Sequence, residues 1–475
     1  MNTIKKNFIY NALYNILSLI VPLITIPYIS RILGAKSIGI YSYTYTVASY
    51  FSVFILLGLA NYGNRVIATN REDINNRSKN FWNIYMMQLF MMICTILVYL
   101  LYVLMFSLHK KYAFAQVLYL FSVGLDISWF YFGLEKFKLI VVRSTIIKLL
   151  NLCLIILFVS SSNDLFKYVI IMVMSTLISQ IWLWVPLNKF VKWYRPTIEE
   201  IKAHIKPNLI LFLPVIAVSI YTMMDKIMLG QMSSMQELGF YENSYKLIQI
   251  PSVGVTALGT VMLPRISNLL KNNEEDIIDA YLRKSVFFTI VLSATISFGL
   301  SAIVDNFVPV FFGDGYNKCI YLIPLLLFAS IFMSFANVIR TQYLIPFNKD
   351  IVFLKSSVLG AVINFFANMF LIYYFESVGA AIGTILAELS VCLYQFVKVK
   401  KYISINSSLI ETTYYILAGA IMYVVVKMLP FFLNNYITMF IKIITGIGVY
   451  VVTCFIIIKV RKMSLKEYRN RLKNI

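Results

Sequence analysis

The stretch IPYISRILGAKSIGIYSYTY, Ile26 to Tyr45, ends one apolar run and begins the next. Much later the chain reads DKIMLGQMSSMQELGFYENSY, Asp225 to Tyr245. Displaced by 200 residues, Ile38 falls on Leu238, Gly39 on Gly239, Tyr41 on Tyr241 and Tyr45 on Tyr245. Ser52 then falls on Ser252 and Arg65 on Arg265, and RILG at 31–34 meets KIMLG at 226–230 across a short gap. The matches keep one register through an apolar run and both its ends. The chain therefore holds two related halves, and each needs the same corner: a helix end, a glycine-containing turn and a helix start.

The corner repeats within a membrane-type composition. Of 475 residues, 60% are hydrophobic and 13% charged, against about 25% charged in a soluble domain. Continuous apolar runs of about 20 residues match the thickness of a bilayer core when helical. Fourteen spans are expected, from 8–29 to 437–458. The expected fold is all-α and polytopic: two pseudo-twofold-related six-helix bundles plus two C-terminal helices. The divisions are 1–190 for the first bundle, 191–207 for a cytoplasmic linker, 208–400 for the second bundle, and 401–475 for spans 13 and 14 with a basic tail. Six spans separate the copies of the corner, so both halves have the same orientation. Parallel repeats of this kind place a substrate site between them.

A net charge of +21 raises nucleic acid as a partner. The placement of that charge argues against it. Outside the spans, Lys and Arg gather on alternate connecting segments, which is a topology signal with both termini cytoplasmic. The same segments contact anionic membrane lipids. The first run, after Lys5 and Lys6, is too long for a signal-peptide core and reads as a retained span. The five cysteines lack metal-ligand spacing, and His109 and His204 read as solvated loop residues. There is no P-loop, dinucleotide fingerprint or zinc motif. The expectation is a non-enzyme with no cofactor and no metal.

Polar residues mark particular faces. Tyr41, Tyr45, Ser49 and Ser52 share one face of span 2, and Tyr241, Tyr245, Gln249 and Ser252 share the matching face of span 8. Span 1 adds Asn7, Asn11, Asn15 and Ser18, and span 7 adds Ser219, Thr222 and Lys226. Two readings fit: a hydrated cavity walled by spans 1, 2, 7 and 8, or hydrogen bonds between helices. Charges within spans are costly. Asp126 and Lys148 lie in consecutive spans at depths that allow pairing, and Glu388 is central in span 12. Asp126, Asp225 and Glu388 are the candidates for ion coupling. Arg340 is a candidate for phosphate contact, whereas Lys427 and Lys442 read as snorkelling to the surface. Asp225, Lys226, Glu242 and Lys246, with Arg31 at the matching corner, form the densest charged group.

These corners, with GLANYGNR at 58–65, LGFYENSYKLIQIP at 238–251 and LGTVMLPRISNLL at 258–270, resemble the Wzx-type polysaccharide exporters of the multidrug/oligosaccharidyl-lipid/polysaccharide exporter superfamily. The resemblance runs over nearly the whole chain and is most specific in spans 1–2 and 7–8. It implies transfer of undecaprenyl-pyrophosphate-linked oligosaccharide units across the cytoplasmic membrane, with polysaccharide polymerase and glycosyltransferases as partners. It further implies a cationic cavity, for which the matching residues are Arg31, Arg65, Lys226, Lys246, Arg265 and Arg340, with Asp225 as a partner. Span 1 departs from that pattern, having Asn11 and Asn15 but no charge in its middle. The competing readings are a flippase for peptidoglycan or teichoic-acid precursors, a multidrug exporter of the same fold, and a membrane-embedded glycan polymerase or ligase.

Overall fold

The computed structural model describes the backbone of residues 3–272, 274–400 and 406–460. Side chains are described from Ile20 to Lys459, apart from residues 213, 214, 217, 221, 273 and 401–408. The side chains of Asn7, Asn11, Asn15, Ser18 and Pro214, and the basic tail, lie outside that description.

The described residues form fourteen α-helices: α1 (Thr3–Leu56), α2 (Leu59–Thr69), α3 (Ile74–Phe106), α4 (Lys110–Gly124), α5 (Ser128–Gly133), α6 (Phe137–Phe158), α7 (Leu165–Trp184), α8 (Ile198–Met232), α9 (Met235–Lys271), α10 (Glu275–Phe311), α11 (Cys319–Ile339), α12 (Asp350–Val399), α13 (Asn406–Met428) and α14 (Asn435–Val460). Eleven helical segments among the described residues are long and apolar enough to cross a membrane. The protein is a multi-pass α-helical membrane protein. It divides into two compact units, residues 1–239 and 240–475.

Helices and expected spans do not correspond one to one, because the helices bend and break. Within α1 the backbone turns at Gly34, with φ 74° and ψ 166°. That conformation carries a steric penalty for any residue with a Cβ, and it sits in the quoted corner. Within α12 the turn falls at Glu376, whose φ is 53°. Such a value is uncommon for a non-glycine residue. The apolar run 113–133, the fourth of the fourteen expected spans, is interrupted after Gly124, and α5 restarts at Ser128. The stretch 198–207, inside the expected linker, forms the first turns of α8. A capping box explains the start: Thr197 Oγ1 accepts from the Glu200 amide, and the Glu200 carboxylate accepts from the Thr197 amide.

In the first unit, Phe81, Tyr85, Trp129, Phe130, Tyr131 and Leu183 build an aromatic core among α3, α5 and α7. A second core joins Ile29, Leu33, Ala115, Ile155 and Val169. The break between α4 and α5 lies against the first of these. Buried Gln88 resolves it: its amide nitrogen donates to the carbonyls of Val123, Gly124 and Asp126 at 3.2, 3.1 and 2.9 Å. Its oxygen accepts from Trp129 Nε1 at 3.1 Å, and Trp184 Nε1 donates to the Leu125 carbonyl at 2.9 Å. Backbone groups freed in an apolar setting need such partners. In the second unit, Val255, Ile266, Leu282, Phe335, Ile339 and Val399 gather α9 to α12 around one core. Ala302, Ile303, Met422 and Val426 pack α10 on α13.

His204 is not a solvated loop residue. It lies half-buried on α8, and its Nδ1 shares a 2.6 Å hydrogen bond with the Tyr62 hydroxyl of α2. Beside it, Glu200 is held at about 2, first by its bond to Lys79, then by the Thr197 amide and the Tyr194 hydroxyl. Burial pushes the His204 pKa down, against the attraction of Glu200. Its docking contribution is therefore complete above the free-imidazole value of about 6.5 and is lost as pH falls through the lower folded value. Amide exchange in 198–207, corrected for intrinsic rates, is expected to accelerate between pH 7.5 and pH 5.5. That pH dependence should vanish in His204→Gln, and its survival there would assign it to another group.

Candidate functional site

The corner is a point of close backbone contact. α1 turns at Gly34 and continues, while α8 ends at Met232 and α9 begins at Met235. Gly39 lies against the backbone carbonyl of Met235, and a Cβ there would overlap it. Gly239 lies against the backbone carbonyl of Ala35, with the same consequence. The 200-residue offset carries Ala35 to Met235 and Gly39 to Gly239, so one contact is the image of the other. Next to it, the Gln231 amide donates to the Tyr43 hydroxyl at 3.3 Å, and Gly230 rests on the Tyr43 ring.

The charged groups of this corner lie on the same elements. Arg31 is exposed three residues before Gly34. Asp225 is buried and Lys226 half-buried on the last turns of α8. Each of the three has an electrostatic or hydrogen-bonded partner. In the second unit, Lys246 pairs with Glu242 at 3.4 Å, one turn apart on α9.

The tyrosine faces keep the repeat in three dimensions. Tyr41 and Tyr45 stack with ring centroids 5.7 Å apart, and Tyr241 and Tyr245 stack at 5.8 Å. Their surroundings differ. Tyr41 meets Tyr168 at 4.9 Å and Tyr45 meets Tyr119 at 5.0 Å, on α7 and α4. Tyr241 is fully buried, and its hydroxyl bonds Thr384 at 2.9 Å. Tyr245 is half-buried, Ser49 buried and Gln249 exposed.

The remaining sequence candidates fall into separate settings. Arg65 is exposed on α2. Its counterpart Arg265 donates to the Tyr281 hydroxyl, with its guanidinium 4.4 Å from that ring. Arg340 opens a single π-turn, Arg340–Leu344, after α11 and lies 5.4 Å over the Phe353 ring. It lies within the electrostatic reach of buried Glu388. Asp126 accepts from the Ser128 amide, two residues on, at 2.8 Å, a turn contact at the helix break. Lys442 does not snorkel: it is 7% exposed and donates to Asn306 Oδ1 at 3.0 Å. Gln88, which closes the α4–α5 break, escaped sequence reasoning. A lone Gln in an apolar run was the one signal it gave.

The chain as a whole is similar to known proteins. The chain is 26% identical over 410 residues to a putative O-antigen transporter of Shigella dysenteriae, covering 83% of this chain and all of that one. Its fold is similar to that of the lipid II flippase MurJ in an inward closed conformation, with TM-score 0.77 and 15% identity over 95% of this chain and 98% of the other. It is also similar to an inward-facing multidrug resistance MATE family transporter of the MOP superfamily, with TM-score 0.58 and 13% identity over 81% and 98% of the two chains. The family model described as polysaccharide biosynthesis protein matches residues 4–270, more than half of the 475. It takes in both copies of the corner, and the chain belongs to the polysaccharide biosynthesis protein family.

Proposed function

We propose that this protein is a flippase for undecaprenyl-pyrophosphate-linked oligosaccharide units, moving them from the inner to the outer leaflet of the bacterial cytoplasmic membrane for surface polysaccharide assembly. The observation that carries this reading is likeness along the full length of a putative O-antigen transporter. The duplicated corner supports it, because two related halves with cationic corners suit a substrate that carries a diphosphate. A glycan on a pyrophosphate cannot cross about 30 Å of hydrocarbon unaided. The protein would supply a polar path by alternating access rather than catalyse a reaction.

In this reading the chain crosses fourteen times with both termini cytoplasmic. Its halves are the six-span bundles 1–190 and 208–400, with spans 13 and 14 appended. Arg31, Lys226 and Lys246 meet the diphosphate, and Arg65, Arg265 and Arg340 serve the opposite side. Asn11, Asn15, Tyr45, Ser49, Tyr245 and Gln249 serve the sugars. Asp225 or Glu388 couples transport to an ion gradient, with Asp126 as the third candidate. Glycosyltransferases and a polymerase act before and after it.

The test uses Arg31→Ala, Lys226→Ala and the double variant at matched membrane abundance. A charge-assisted contact contributes about 1.5–3 kcal/mol, so each single change should weaken substrate capture roughly 10–150-fold. The measurement is export of lipid-linked glycan, set against flipping of a peptidoglycan precursor in the same vesicles. Normal export in the double variant would remove the pair from the diphosphate site. Transport of the peptidoglycan precursor alone would replace the substrate assignment.

A further inference from the structure

The second unit contains a small cavity of about 160 Å³ between α10, α11 and α13. Phe298, Ser301, Pro324, Phe328, Ile331 and Tyr423 line it. Its walls are mainly carbon, and Phe328 is 48% exposed, so the cavity opens on the apolar outer surface of its helices. In a membrane protein such an opening meets acyl chains.

A cationic group lies one helical turn beyond the cavity. On α10, Asp305 and Asn306 follow Ser301; on α13, Lys427 follows Tyr423. Four residues of helix rise about 6 Å. Lys427 pairs with Asp305, joining the two helices at that level. From α14, Lys442 reaches Asn306 Oδ1 at 3.0 Å, and Asn306 Nδ2 donates to Asn435 Oδ1 at 2.9 Å. Lys442 is 7% exposed and Asn306 4%. An ammonium has three N–H donors, and Asn306 takes one of those on Lys442. Burying the charge with that single bond is costly. Among the described residues Asp305 acts on Lys442 only through space and no second hydrogen-bond acceptor reaches its ammonium; an anion would supply one.

We infer that the groove between α10, α11 and α13, capped by Lys427 and Lys442, binds a membrane glycerophospholipid through its single anionic phosphodiester, with an acyl chain in the cavity. Charge selects this occupant. Lys427, Lys442 and Asp305 sum to one positive charge, which one phosphodiester neutralises. A diphosphate would leave the site negative. The spacing agrees, since about 6 Å separates the acyl-lined cavity from the cations, as it separates the first chain carbons of a phospholipid from its phosphate. The lipid is then a fixed component joining α10, α13 and α14. This inference does not depend on the transported substrate proposed above.

The test is native mass spectrometry and thermal unfolding of the full-length protein in detergent. The probes are phosphatidylglycerol, neutral diacylglycerol, inorganic phosphate and undecaprenyl pyrophosphate. Wild type should retain phosphatidylglycerol at least about tenfold more tightly than Lys442→Met does. Lys442→Arg should keep most of the retention. Phe328→Trp leaves the cations in place and narrows the mouth, so it should lower retention even if Lys442→Met fails to fold. Equal retention by wild type and both Lys442→Met and Phe328→Trp would overturn the assignment. So would equal binding of diacylglycerol, which needs no cation, or of phosphate alone, which needs no cavity. Displacement of phosphatidylglycerol by undecaprenyl pyrophosphate at lower concentration would reassign the groove to the carrier lipid.

Discussion

Alanine at Gly39 is expected to push apart a pair of helix ends that now meet backbone to backbone. The added methyl would fall on the Met235 carbonyl. No side chain stands there to rotate away, so relief must come from moving α1 or α9. Overpacking a close contact costs about 1–3 kcal/mol, and a backbone obstacle puts this case near the top of that range. Gly239→Ala should cost as much, because its methyl would fall on the Ala35 carbonyl. The double variant should cost less than the two single losses together, since both changes open one contact. Thermal unfolding in detergent, beside export at matched abundance, checks this. Wild-type stability and export in Gly39→Ala would show that the corner does not need close approach.

Leucine at Gln88 is expected to destabilise the first unit by at least about 3 kcal/mol, because it keeps much of the volume and removes all the hydrogen bonding. It strips the Trp129 N–H and the Gly124 and Asp126 carbonyls of the Gln88 amide, while the Val123 carbonyl keeps the Asp126 N–H. Each buried group left unsatisfied costs about 1–3 kcal/mol. Exposed Gln249→Leu provides the comparison and should stay within about 0.5 kcal/mol. Denaturant unfolding of both variants decides it. A loss for Gln88→Leu no larger than that of Gln249→Leu would mean that the break finds other partners.

The corner was legible because its cause is local and repeated. Gly34 turns the chain, and Gly39 and Gly239 recur at one offset. The break between α4 and α5 was not legible, because a single Asp126 in an otherwise apolar run does not by itself mark a break, and the partner Gln88 lies on another helix. For the same reason Asp126 reads from sequence as a partner for Lys148 or an ion-coupling acid, although its carboxylate accepts from the Ser128 amide at the break. Lys442 was misread because sequence shows depth along one helix and not the neighbour Asn306 on another. Arg340 and Glu388 were each visible alone, but their proximity depends on how α11 and α12 align. The turn at Glu376 falls where the apolar runs 356–375 and 378–397 part in the sequence, but its positive φ was not legible, since its residue type does not favour that conformation.

The contact at the corner has the form of an isologous interface. Ala35 meets Gly239 and Met235 meets Gly39, so position 35 of one repeat touches position 39 of the other, and the reverse. A chain of half the length, pairing with its own copy about a twofold axis, would make this contact with one residue pair used twice. In such an ancestor a single mutation at the glycine would strike both sides of the interface together. Fusion into one chain lets each side change alone, and an asymmetric cargo can then be met by asymmetric walls without giving up the shared joint.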